Sequence, residues 1–268
     1  MNAQNACISL VTDFGFDSPF VGVMKAVIIS RASDARIVDL FHNVAAYNVD
    51  EGGFWLAHSY HYLPQGSIHI AVVDPGVGSV RRILAARYDG HVFLAPDNGL
   101  LHQAFGGVQD IEYRALDLPK LSEILQLPLA SATFHGRDIF APVAAALAAK
   151  TCDFEELGTT YTDIVPARIG QVIKIGSEIN GAVMSIDHYG NVITNIRGAL
   201  LDGQTDCWVE CSGHRFQIKR TYSDARAGED IALINSFGVL EIARAQGRAA
   251  ERLGVNRGAK VTVRFKAS

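Results

Sequence analysis

At 268 residues the chain is long enough for one large domain or two modest ones. Its 49% apolar and 19% charged residues provide for a sizeable core and exclude an intrinsically disordered chain. A net charge of −4 and no long basic run give nothing to neutralise a phosphate backbone, so no nucleic-acid partner is expected.

No stretch approaches the ~20 apolar residues of a membrane helix, so no membrane partner is expected. The polar start, Met1 to Cys7, lacks the apolar segment and cleavage site of a signal peptide, and the cytoplasm is the expected compartment. Cys207 and Cys211 lie four apart with no second Cys/His pair at metal-site spacing. They read as buried thiols, and no metal is expected.

The first 150 or so residues alternate strand and helix patterns. Ala6 to Thr12 reads as a strand ending in Asp13-Phe14-Gly15. Pro19 suits the first turn of a helix whose apolar face carries Phe20, Val23, Met24, Val27 and Ile28. Arg36 to Phe41 is a second strand. Asn48 caps a helix to about Tyr62, with Glu51 as the partner in a capping box. Ser67 to Asp74 is apolar enough for a strand buried on both faces. Ile83 to Tyr88 and His91 to Leu94 form a hairpin around Asp89-Gly90, and a short helix follows Asn98. Asp110 to Leu116 is a further strand, and Thr133 to Lys150 a helix.

From Ile173 onward short strands alternate with glycine turns, as in a small antiparallel barrel, interrupted by one helix over Arg244 to Leu253. The pattern is an α/β fold: a Rossmann-like domain over 1–165, then a C-terminal antiparallel β-barrel over 166–268.

Ligands of α/β sheets bind beyond the carboxyl ends of the strands, where Asp13, Asp74 and Asp97 fall, each soon followed by glycine. Asp13 suits a ribose diol, although from this motif alone an ordinary cap or turn aspartate is the stronger reading. Asp74 and Arg81 flank Pro75-Gly76-Val77-Gly78 and can meet across the turn. That turn has neither the Lys-Ser/Thr of a P-loop nor the third glycine of a dinucleotide fingerprint, which excludes nucleotide phosphate binding there. Asp97-Asn98-Gly99 needs no more than turn chemistry. His135 and Asp138 sit where a helix opens, and Asp187 to Asn195 and Asn235 to Gly238 read as hairpin turns or recognition loops.

In order along the chain stand TDFG, VVDPGVG followed by Arg81-Arg82, APDNG, TFHGRDIFAP, IDHYGNVITNI and INSFG. Together they resemble the S-adenosyl-L-methionine (SAM) hydroxide adenosyltransferases, relatives of the SAM-dependent fluorinase and chlorinase. The resemblance runs from about Ile8 to Phe265. It implies hydrolysis of SAM to adenosine and methionine without a cofactor, by a homotrimer whose sites form between neighbouring subunits. Asp74, Arg81 and His135 match the water-using set. Asp13 matches the ribose ligand, and Tyr47 an aromatic ring beside the nucleoside. Asp187, Asn191, Ser236 and Arg244 match contacts to methionine or adenine. Phe237 stands where some relatives carry arginine.

The implied reaction is an SN2 displacement at C5′ of SAM with neutral methionine leaving. Water is favoured over halide because Asp74 repels an anion, and because Val77 and Gly136 stand where the fluorinase has hydroxyl residues. A SAM-dependent halogenase, a non-catalytic SAM or adenosine sensor, and a nucleoside hydrolase are the alternatives.

Overall fold

The structure is a computed structural model that describes residues 6–127, 129–202 and 206–266. The chain divides into two compact units, Met1–Arg168 and Ile169–Ser268.

In the first unit, β1 (Cys7–Thr12) and β3 (Ile68–Val72) are buried along their whole length, as the unbroken apolar runs require. Between them in sequence come α1 (Phe20–Arg31), β2 (Arg36–Phe41) and α2 (Val49–Ser59), the last continued by a 3₁₀ turn at Tyr60–Tyr62. Then follow β4 (Ile83–Tyr88), β5 (His91–Pro96), α3 (Leu100–Phe105), β6 (Glu112–Leu116), α4 (Leu118–Ile124), α5 (Ala141–Ala148) and β7 (Gly158–Thr160). The seven strands form one sheet in the order β2-β1-β3-β5-β4-β6-β7. The β2-β1-β3-β5 half is parallel, whereas β4, β6 and β7 add antiparallel pairings.

One face of this sheet is covered by α1 and α5, which bury Met24, Ile28, Val143 and Ala144 against Ile8, Leu10 and Ile70. The other is covered by α2 and α3, where Leu56, Leu100 and Leu101 meet Val11, Val73 and Phe93. Apolar residues on both faces of β1 and β3 thus generate two cores, and the polar groups collect at the strand ends.

Local expectations hold with four corrections. The Asn48 side chain accepts the Glu51 N–H at 3.2 Å, but the Glu51 carboxylate turns to the Ala45 N–H at 2.9 Å, so only one side of the capping box forms. The helix α4 went unforeseen, although Asp117 caps it through the Lys120 N–H and Pro119 stands in its first turn. The helix expected from Thr133 opens instead as a π-helical turn at Gly136–Phe140, with the Ala141 N–H bonded to the Gly136 carbonyl. Pro142 has no N–H to offer the Asp138 carbonyl, which lets the wider spacing persist. The fourth correction lies in the second unit.

That unit holds β8 (Ile173–Ile175), β9 (Glu178–Ile186), β10 (Val192–Arg197), β11 (Cys207–Cys211), β12 (His214–Gln217), β13 (Asp230–Ile234), β14 (Val239–Arg244), α6 (Ala249–Leu253) and β15 (Lys260–Phe265). They form a sheet in the order β12-β11-β15-β9-β10-β14-β13, with β8 paired to β9. A bridge between Ile218 and Ala232 brings the end of β12 to β13, so the sheet is a nearly closed barrel. Its interior packs Ile179, Val183, Val209, Phe216, Leu240 and Val261. The helix expected over Arg244 to Leu253 begins only at Ala249, because Arg244 ends β14 and pairs with Asp230 of β13 at 2.8 Å.

All four cysteines are free thiols, with Cys7, Cys152 and Cys211 buried. Among the described residues, no helix is long and apolar enough to cross a membrane, and no His/Cys/Asp/Glu group is arranged to hold a metal ion.

Candidate active site

Three loops at the carboxyl ends of β1 and β3 and at the start of the π-helical turn carry the chemistry of the first unit. The loop after β3 turns through Pro75 to Gly78 and returns Arg81 onto Asp74. The Arg81 Nε donates to Asp74 Oδ1 at 2.6 Å, and its Nη2 donates to Asp74 Oδ2. Both side chains are more than nine-tenths buried, so the bidentate geometry must offset the desolvation of two charges.

Gly78 has φ +79°, and a Cβ there would stand 2.3 Å from the Ala132 carbonyl oxygen. The glycine lets this loop press against the segment that carries His135. Across that contact Arg81 Nη2 lies 3.0 Å from His135 Nδ1. A guanidinium only donates, so Nδ1 accepts and the imidazole proton sits on Nε2. Burial and the Arg81 charge both push the His135 pKa down, outweighing the pull of Asp74 and Asp138. The remaining Arg81 nitrogen, Nη1, is buried without a hydrogen-bond partner among the described residues. An orphaned guanidinium N–H beside a carboxylate and an imidazole is a donor held ready for a small polar molecule.

Asp138 fixes the His135 segment from behind. Its carboxylate accepts the Ser131 N–H at 2.8 Å and the Arg137 Nε–H at 2.5 Å. Although burial opposes ionisation, these donors hold its pKa down at about 2.

Asp13 lies beyond β1. Its Oδ2 accepts the Tyr47 N–H at 2.9 Å, and Tyr47 sits at φ +66° with 69% of the residue exposed. A left-handed backbone is unusual for an aromatic residue and marks a position fixed by its surroundings. Burial raises the Asp13 pKa; the Tyr47 N–H opposes the shift, and the charge of Asp74 adds to it.

The remaining candidates lie in the second unit. Asp187 Oδ1 accepts the Asn191 N–H at 2.8 Å, and its Oδ2 accepts the Asn191 amide at 3.0 Å, closing the Tyr189-Gly190 turn. Ser236 lies exposed in the turn between β13 and β14. Arg244 is tied to Asp230 rather than to the Asp187 turn.

Sequence reasoning passed over Glu241 here. It is 2% exposed and accepts from Tyr222 Oη at 2.5 Å and from Asn235 Nδ2 at 3.2 Å. Burial raises its pKa, and the charge of Asp187 adds to the effect. The Asn235 Oδ1 in turn accepts the Phe237 and Val239 N–H groups at 3.0 and 3.3 Å, so Glu241 shapes the turn that carries Ser236. The only sequence signal was an acidic residue inside an apolar strand.

Family models of the SAM hydroxide adenosyltransferase N-terminal and C-terminal domains match residues 8–158 and 181–262. The chain belongs to the SAM hydroxide adenosyltransferase family. It is 35% identical to an (R)-S-adenosyl-L-methionine hydrolase from Thermus thermophilus, over 95% of this chain and 98% of the relative. A crystal structure of an uncharacterised conserved protein from Thermotoga maritima superposes with a TM-score of 0.84 at 31% identity, covering 96% of this chain and 99% of that one. A fluorinase from an Actinoplanes species is more distant, at 24% identity over 97% of this chain and 97% of that relative.

Proposed function

We propose that this enzyme hydrolyses SAM to adenosine and L-methionine, by SN2 attack of one oriented water at the C5′ carbon. The observation that carries the reading is the contact set of Asp74, Arg81 and His135, with one buried Arg81 N–H left over. Arg81 pairs with Asp74 and offers Nη1 to the water oxygen. His135 carries its proton on Nε2 and orients the water as a donor. Asp74 keeps unused lone pairs and accepts the water proton as the C5′–oxygen bond forms and the C5′–sulfur bond breaks. Methionine leaves as a neutral thioether, so the displacement calls for no metal or redox cofactor, and none is part of this proposal.

Asp13 and Tyr47 hold the ribose and the nucleoside. Asp187, Asn191, Ser236 and Arg244 hold the methionine and adenine ends, with Phe237 removing one carboxylate contact that arginine supplies in some relatives. Water is favoured over halide on two grounds. Asp74 repels an anion. A Cβ at Gly136 would also lie 3.0 Å from Met24 Sδ and 3.1 Å from the Phe134 ring, which crowds any hydroxyl side chain there. The hydrolase name of the Thermus thermophilus relative supports the same choice. A homotrimer with shared sites and a cytoplasmic location complete the proposal, and light scattering of the purified protein tests the trimer.

Mass spectrometry of SAM incubated with the enzyme in isotopically labelled water, with and without chloride and fluoride, tests the reaction. Adenosine carrying the label at its 5′ oxygen, together with methionine, is expected. A 5′-halo nucleoside, free adenine or unconsumed SAM overturns it.

A further inference from the structure

A second polar chain lies beneath the Asp13 loop and is not part of the water-binding set. His42 follows β2 and is 1% exposed. Its Nδ1 lies 2.7 Å from the Thr12 hydroxyl, and its Nε2 lies 3.0 Å from Asp39 Oδ1. A carboxylate only accepts, so Nε2 carries a proton. The Thr12 oxygen already accepts the Phe14 N–H at 3.2 Å, which leaves its own proton free for Nδ1.

Asp39 is held in turn by Lys25 at 2.5 Å. Burial works against its ionisation, but Lys25 and His42 outweigh that and keep its pKa low. The His42 carbonyl accepts the Gly15 N–H at 2.9 Å, and the Phe16 ring meets the imidazole edge-on with centroids 5.0 Å apart.

The His42 contacts to Thr12, Gly15 and Phe16 all end on residues 12–16, the segment that presents Asp13. Five residues beyond His42 stands Tyr47, whose N–H binds Asp13. His42 therefore ties the end of β1 and the loop beyond it to the start of the segment that also carries Tyr47, through its imidazole at Thr12 and its carbonyl at Gly15.

We propose that His42, oriented by Asp39 and Lys25, is a positioning residue for the ribose clamp of Asp13 and Tyr47. Its imidazole sets the height of the Asp13 loop, and its backbone fixes where Tyr47 can reach Asp13. This inference rests on the reading of Asp13 as the ribose ligand. A ribose contact is made alike in ground and transition states, so loosening it raises KM and leaves kcat nearly in place. It also erodes discrimination between the ribose diol and a sugar lacking one hydroxyl.

The test measures kcat and KM for SAM and for its 3′-deoxyribose analogue in the wild type, Asp13→Ala, His42→Ala, His42→Asn and Asp39→Asn. Asp39 is 31% exposed at its side chain, so Asp39→Asn should fold even if His42→Ala does not. Asp13→Ala is expected to abolish the preference for SAM over the analogue. His42→Ala and Asp39→Asn should raise KM for SAM on the order of tenfold and several-fold, and shrink the preference in step. His42→Asn, which can still meet Thr12, should recover part of both. If Asp13→Ala removes the preference while the Asp39 and folded His42 variants keep it whole, His42 has no positioning role. If Asp13→Ala itself leaves the preference intact, the ribose reading fails instead.

Discussion

Of the histidine networks built on the sheet of the first unit, the one around His135 stands at the strand ends and the one around His69 lies within the sheet. Inside the sheet, Ser9 Oγ lies 2.7 Å from His69 Nδ1, and His69 Nε2 lies 3.0 Å from His91 Nδ1. The three residues belong to the adjacent strands β1, β3 and β5. The His69 ring stacks on Phe93 with centroids 4.8 Å apart. Burial, with a smaller push from His91, lowers the His69 pKa to about 3. At the strand ends, His135 shares its surroundings with an ionised pair, and a donor is left over. The contrast shows what turns a buried histidine into a candidate for chemistry. Both rings are neutral and hydrogen-bonded, but only the strand-end ring adjoins charge and an unspent N–H.

The largest expected effect sharpens that contrast. Asp74→Asn and Arg81→Ala should each lower the rate of adenosine formation at saturating SAM by about 10²–10⁴-fold. SAM binding, measured by calorimetry, should change far less. Arg81→Ala also strands a buried carboxylate, at a stability cost of ~3–5 kcal/mol, so each variant needs a denaturation curve beside its kinetics. His69→Gln should lose stability with little loss of turnover per folded molecule; an equal collapse of turnover would break the distinction.

A middle-sized effect concerns acid. The unfolded chain binds a proton at His69 near pH 6.5, whereas the folded chain refuses it until about pH 3. The unfolded state therefore holds more protons throughout that window, and stability falls as pH is lowered through it. Between pH 6.5 and 5 the loss from His69 is about 2 kcal/mol, and His91, also lowered by burial, acts in the same direction. Urea melts at pH 7 and pH 5 check this, and a stability unchanged between them would refute the neutral pair.

The smallest effect concerns the strand-end ring. With the His135 pKa held below its usual value, kcat should stay within about twofold from pH 8 to 6.5, because Nδ1 remains able to accept from Arg81. A fall centred at or above the ordinary histidine value would show that His135 is protonated in the resting site.

Much of the fold was legible along the chain. The unbroken apolar runs of β1 and β3 announced strands covered on both faces, and Asp89-Gly90 announced the hairpin, with both residues now at positive φ. The pairing of Asp74 with Arg81 was legible too, because seven residues with two glycines form a local turn. Apart from α4, whose Asp117 cap and Pro119 are local, the signals that went unread depend on distant neighbours. Thr12 and His42 are ordinary residues until β1 and β2 lie side by side in parallel register. Glu241 looks misplaced in its strand until Tyr222 and Asn235 are found on its two oxygens.

Sequence alone thus determined the elements, the strand-end aspartates and the motifs that mark the family, since these depend on period, turn chemistry and short spacing. Only tertiary structure decided that His135 reaches Arg81 across 54 residues, and that one guanidinium nitrogen is left unpaired. The physical reason is that the partner of a buried polar group is chosen by packing, and packing joins positions between which the chain carries no local correlation.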